Sequence, residues 1–225
     1  MGLINKASLA KTVDDISDAL FFQRTIPKAD REKAAKWLAA RQGLPRSYAG
    51  LIAPTDNDFK HGIRLFTGER LSSIAGISHV LGEEGCRALI LLGTRATDVK
   101  SALRDATTTM LHRLGQSQSA SGIYCCGTCS VSLWRHLAVK GLDKQEQRLK
   151  SALKYLKARR NDAGRWQAFP FYYTLLALSE IELPAATREL RFAAPACERA
   201  LKRLKAKDRY TSRKQHLLKR VLALC

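Results

Sequence analysis

The sequence predicts an all-α protein of stacked antiparallel αα-hairpins, about nine helices arranged as a HEAT-like solenoid or partial α/α toroid. Three observations predict it. Apolar residues recur at helical spacing along nearly the whole chain, and the alternation that marks strands is scarce. Most breaks between periodic stretches are short, as antiparallel helical neighbours require. Tetrapeptides return at hairpin-sized intervals: "KSAL" occupies 100–103 and 150–153, and "ERAL" occupies 198–201, each in the second helix of a pair.

Taken in order, the expected helices run near 8–22, 28–41, 70–91, 97–114, 126–140, 143–159, 169–181, 185–204 and 211–224. In the first, Leu9, Val13, Ile16 and Leu20 share one face, and "DDISD" (14–18) lies opposite. This Asp-rich run spells the motif through which polyprenyl synthases hold magnesium diphosphate. It stands without a second such segment and reads as a solvated polar face. Pro27 precedes the second helix. Residues 43–68, rich in Gly, Pro and Asp, break the pattern and read as irregular.

The helix expected at 70–91 carries an apolar stripe through Ile74, Ile77, Leu81, Ala88 and Leu92. Opposite it lie Ser72, Ala75, Gly76, His79, Glu83 and Cys86. His79 and Glu83 are i, i+4 neighbours, and a hydrogen bond between them would raise the His pKa and set its tautomer. They form the best general acid/base pair in the chain and are the candidate catalytic residues; the plainer alternative is an ion pair on a solvated face. Thr97 and Asp98 can cap the next helix. "GQSQSASG" (115–122) reads as a flexible loop dividing the chain into an N-terminal lobe, 1–114, and a basic C-terminal lobe, 123–225.

The second lobe opens with "GIYCCGTCSVSLWRH" (122–136). Cys126, Cys129, Leu133 and Leu137 fall on one helical face, so the two thiols are expected to point into the core as small hydrophobes. No metal site and no cofactor is expected. A structural zinc needs four ligands, and His136 lies roughly 10 Å beyond Cys129 along the axis. Gly141 closes this helix, Asp143 can cap the next, and Pro184 opens the eighth. In "FPFYYTLLALSEI" (169–181) apolar side chains point in nearly every direction, which marks an inner helix.

"LKYLKARRNDAGRW" followed by an aromatic-rich segment and "YYTLLALSEI" resembles the repeats of α/α-toroid proteins, among them protein prenyltransferases and squalene-type cyclases. The likeness covers about residues 123–204, and the "DxDD" of the cyclases is missing. It implies an enzyme acting on a prenyl or other apolar substrate, with Trp134, Trp166, Phe171, Tyr172 and Tyr173 lining the pocket. In length, helix content and basic charge the chain equally resembles the HEAT-like scaffolds of alkylpurine DNA glycosylases. That likeness implies DNA- or RNA-processing activity, with His79 and Glu83 as its first residues to test.

Charge carries the broadest signal. Lys and Arg number 39 against 20 Asp and Glu, a formal net charge of +19. Between 185 and 225, twelve Lys and Arg face three acids, Glu189, Glu198 and Asp208. Such a field attracts polyanions, and basic side chains at helical spacing can track a phosphate backbone without reading sequence. The candidate nucleic-acid contacts are Arg135, Arg159, Arg160, Arg165, Arg199, Lys202, Arg203 and Lys205. Arg165 beside Trp166, Tyr172 and Tyr173 also suits stacking on a base. The expected function is a basic helical-repeat scaffold binding nucleic acid mainly through phosphates. The alternatives are the toroid-type enzyme and a protein-interaction scaffold without chemistry. A cytoplasmic location is expected: "MGLINKASLAKT" lacks an apolar signal core, six cysteines suit reduced thiols, and "AFPFYYTLLAL" (168–178) is shorter than a membrane span.

Overall fold

The computed structural model describes residues 2–116, 123 and 125–225. Over these residues the chain is all-α, with ten helices and two hairpins of two-residue strands. Helix α1 (Leu9–Phe21) begins at Ser8, whose hydroxyl accepts the Lys11 amide, and α2 (Lys28–Ala39) follows Pro27. The expected irregular segment contains a short helix, α3 (Asp56–His61), started by a reciprocal Thr55–Asp58 capping box. Asp58 also accepts from the Ser8 hydroxyl at 2.6 Å and the Leu9 amide at 3.0 Å. One buried carboxylate therefore satisfies the open amides of two helices.

Strands β1 (Ile63–Arg64) and β2 (Arg70–Leu71) pair antiparallel, so the helix expected from 70 starts only at α4 (Ile74–Leu92), capped by Ser73. After α5 (Thr97–Gln116) the expected dividing loop lies, from 117 to 122, outside the described residues. The remaining elements are α6 (Gly127–Ala138), α7 (Gln145–Lys157), the hairpin β3 (Arg160–Asn161) and β4 (Arg165–Trp166), α8 (Phe171–Leu178), α9 (Pro184–Arg203) and α10 (Arg209–Ala223). Pro184 opens α9 as expected. Asp143 does not cap α7; Lys144 takes the cap position with φ +46°, while Asp143 accepts from Arg148.

Helix α4 is the interior of the protein. It is buried without a break from Gly76 to Leu89, because α1, α2, α5 and α6 all pack on it. The expected amphipathic stripe is thus corrected. Ile74, assigned to the core, is 67% exposed in the first turn, while the polar positions Glu83 and Cys86 are buried. Gly82 and Gly85 permit the closeness: a Cβ there would come within 2.9 Å of Leu51 and 2.8 Å of Ile52. Helix α8 is the second inner helix, as its all-round apolar sequence predicts, with Tyr173 to Leu178 buried.

Contacts are not confined to neighbours along the chain. Helix α1 packs on α4, α4 on α6, α6 on α8 and α8 on α10. Helix α10 then returns to α1 through Arg213, which is 1% exposed. Its guanidinium donates to Asp14 and Asp18 at 2.7 Å each and to the Phe66 carbonyl at 3.2 Å. It also lies 4.1 Å from the centre of the Phe66 ring, and Arg209 adds a second pair to Asp14. "DDISD" is therefore not simply a solvated face. Two of its carboxylates hold the first helix to the last.

Removing one partner of such a cluster strands the others in a poorly solvated place. Arg213→Ala is expected to lower unfolding stability by about 3 kcal/mol in urea denaturation. Arg213→Lys should recover only part of it, since an ammonium cannot reproduce the fork that reaches two aspartates and a carbonyl. A variant as stable as the parent protein would refute the clamp.

Candidate nucleic-acid interface

A basic concavity lies between the β3–β4 turn and α9. Asn161 shapes the turn, its side-chain oxygen accepting the amides of Ala163 and Arg165 at 3.1 Å. Gly164 at φ +73° completes it and sits so close to α9 that a Cβ would meet Ala196 at 3.2 Å. Ala196 and Ala200, one turn apart on α9, leave a shallow floor, and Arg199 and Arg203 repeat the same spacing beside them. With Arg165 and Tyr172 these residues line a groove of about 380 Å³. Its described lining holds three guanidiniums and no carboxylate.

Two of the arginines are placed by their neighbours. Arg165 lies 4.7 Å from the centre of the Phe171 ring, and Arg199 donates to the Ala163 carbonyl at 3.1 Å. Lys214 of α10 approaches the Tyr172 ring at 4.7 Å, adding a fourth cation. Burial raises the Tyr172 pKa above its ordinary value, against the pull of Arg165. At neutral pH the phenol keeps its proton and can donate it to an anion. Lys202 near the end of α9 and Lys205 just past it are exposed, outside the groove lining.

Three candidate contacts outside the groove are engaged with other side chains. Arg160 is held by Glu189 at 2.8 and 3.0 Å and lies over Phe192, and Arg159 stacks on Tyr155 and donates to its hydroxyl at 2.7 Å. Arg135 requires a correction. It is 2% exposed and cannot reach a phosphate. It donates to Glu84 at 2.5 Å and to both oxygens of Glu180 at 2.8 and 3.0 Å, and Arg87 donates to Glu180 at 2.9 Å. Burial opposes the Arg135 charge, but Glu180 and then Glu84 hold its pKa well above the ordinary value. Burial likewise disfavours the Glu180 charge, yet Arg135 and Arg87 outweigh it and lower that pKa.

Trp166, Phe171 and Tyr172 adjoin, with ring centres 6.3 and 5.3 Å apart, but Trp134 and Tyr173 have other neighbours, which corrects the expected common pocket. Trp134 stacks on Phe169 at 5.4 Å, Trp166 donates to Glu189 at 2.9 Å, and Tyr173 donates to Glu84 at 2.5 Å. Only Tyr172 lines the groove. Between α1, α4, α6 and α8, where Tyr173 points, the cavity measures about 30 Å³, room for a water rather than an apolar substrate.

His79 and Glu83 do not form the expected catalytic surface pair. Glu83 is fully buried and meets Nδ1 of His136 on α6 at 2.5 Å. Gly141 makes room for that imidazole, since a Cβ there would lie 2.0 Å from the ring. The His79 pKa is lowered to about 4, by burial first and Arg113 second, the opposite of the expected rise. Its ring packs on Tyr48 with centroids 3.5 Å apart. The cysteines also separate. Cys129 is buried as expected, but Cys126 is the exposed N-cap residue of α6. Sequence reasoning passed over Cys125, which the structure brings together with Cys129 and His79. The adjacent "CC" was the available signal; the histidine comes from another helix.

No family model, curated protein or solved structure matches the chain.

The buried Arg135 network makes a pH prediction. Unfolded, Glu180 titrates at about 4.3; folded, its pKa is lower. Its stabilisation is therefore complete above the unfolded value and is lost as pH falls through the folded one. Urea midpoints measured from about pH 5 to about pH 3 should fall less steeply for Glu180→Gln than for the parent chain. Parallel curves would contradict the assignment.

Proposed function

We propose that the protein binds nucleic acid through the phosphate backbone, with the groove between the β3–β4 turn and α9 as its principal contact. The observation that carries this reading is the gathering of Arg165, Arg199 and Arg203 around Tyr172, without a carboxylate in the described lining. Guanidiniums match phosphate oxygens with paired donors, and a protonated phenol adds a neutral donor or a stacking face for a base. Exposed Lys202 near the end of the same helix and Lys205 just beyond it extend the positive surface. Contacts of this kind position a strand without selecting its sequence.

The reading gives no chemistry to His79 and Glu83. Glu83 is engaged with His136 inside the protein, and a glycosylase-like step would need a reactive group open to a substrate. A role on apolar substrates draws no support from a central cavity of about 30 Å³. Among the described residues no helix is long and apolar enough to cross a membrane.

The test is salt-dependent binding to single- and double-stranded oligonucleotides. Affinity is expected to fall linearly on a double-logarithmic plot against salt. Replacing Arg165, Arg199 and Arg203 together by Gln should flatten that slope by about 2–3, since each neutralised phosphate contributes about 0.7–0.9. Lys28→Gln on α2 serves as the control and should leave it unchanged. Binding that ignores salt, or a triple variant that binds like the parent, would remove the proposal.

A further inference from the structure

The start of α6 and the second turn of α4 bring metal-ligating atoms together. The side-chain nitrogen of His79 and the sulfurs of Cys125 and Cys129 all lie within 4.8 Å of one another. Cys126 stands between the two other thiols in sequence and exposed at the N-cap of α6, adjoining this group of three rather than within it. The set is drawn from two elements whose packing is already fixed by the α4–α6 core, which includes the Glu83–His136 and Glu84–Arg135 contacts.

Core filling does not explain this arrangement. Cys86 and Cys197 are buried thiols apart from this group, as packing cysteines are. Cys125 and Cys126 are exposed, and only Cys129 is buried. Three sulfurs and one imidazole nitrogen form a borderline-soft donor set, which suits zinc rather than magnesium or calcium. Zinc–sulfur bonds of about 2.3 Å and zinc–nitrogen bonds of about 2.0 Å put tetrahedral ligand atoms roughly 3.5 Å apart. A contraction of about 1 Å at the widest pair would close the His79, Cys125 and Cys129 set, and the exposed Cys126 side chain must turn inward to complete the tetrahedron.

We propose that His79, Cys125, Cys126 and Cys129 bind one structural Zn²⁺ that fastens α4 to the beginning of α6. On binding, the three thiols release their protons to solvent and become thiolates, while the imidazole enters neutral; nothing is oxidised or reduced. The site then carries one net negative charge. Arg113, whose charge acts on His79 and whose guanidinium donates to Tyr48 at 3.4 Å, is placed to offset it. The Tyr48 ring, tilted against His79, holds the imidazole in orientation, the task of an outer-shell partner. The site is separate from the groove and does not depend on the nucleic-acid reading.

The test uses the full chain, purified under reducing conditions without chelator and loaded with zinc alone. One zinc per chain is expected to survive dialysis, by elemental analysis. Cys125→Ser and Cys129→Ser should each lose it, and His79→Asn should weaken zinc binding by 10-fold or more. Cys86→Ser and Cys197→Ser should retain it. Because a polar substitution at buried Cys129 can unfold the chain by itself, the parent protein is also loaded with Co²⁺. A near-ultraviolet thiolate-to-cobalt charge-transfer band with tetrahedral visible bands is the expected signature. Absence of bound zinc together with an octahedral cobalt spectrum would overturn the site. So would recovery of the protein as a Cys125–Cys129 disulfide that takes up no metal after reduction. Full zinc retention in Cys126→Ser would remove Cys126 as the fourth ligand.

Discussion

Arg135, a guanidinium buried between Glu84 and Glu180, is the contact around which the inner helices are arranged. Glu84 belongs to α4, Arg135 to α6, and Glu180 follows α8; Tyr173 of α8 closes the set on Glu84. Taking these charges out of water is costly, and only their mutual geometry compensates. A shift of any one helix by a turn would leave an ion without its partner. Apolar side chains around them tolerate many packings, whereas a forked guanidinium between two carboxylates admits few. The network therefore sets register more than it adds net stability. Glu83–His136, one residue along α4, repeats the constraint on the same pair of helices.

This use of acids inside the protein bears on its surface. Asp14, Asp18, Asp58, Glu83, Glu84, Glu180 and Glu189 are all engaged in buried or half-buried bonds with arginines, a histidine, a tryptophan or helix amides. A chain with 20 acids against 39 Lys and Arg thereby withdraws part of its negative charge from solvent. Some basic residues are withdrawn too, Arg87, Arg135 and Arg213 among them. Arg165, Arg199 and Arg203 remain at the groove, where packing of small alanines lets them converge. Total charge says little about location; the division between interior and exterior does.

The candidate sites also differ in what holds them. The groove depends on one turn, one helix face and two alanines. The thiol–imidazole cluster depends on α4 meeting α6, and so on the buried ions that position those helices. Chemistry at the second site is consequently tied to the core, and chemistry at the first is not.

Local structure was legible in the sequence because it is set by local physics. Helical periodicity, Pro184 at a helix start and the all-round apolar run at 169–181 each act within a few residues, and the corresponding elements stand close to where they were expected. Partnerships were not legible. Glu83 had His79 within one turn, yet packing brought it His136; Arg135 had the pattern of a surface cation, yet α4 and the end of α8 enclosed it. Asp14 found its arginine 199 residues away, and Cys125 its histidine on another helix. A charged or ligating side chain has many acceptable neighbours by spacing alone. Burial removes water as the default partner, and only the completed packing decides which neighbour takes its place.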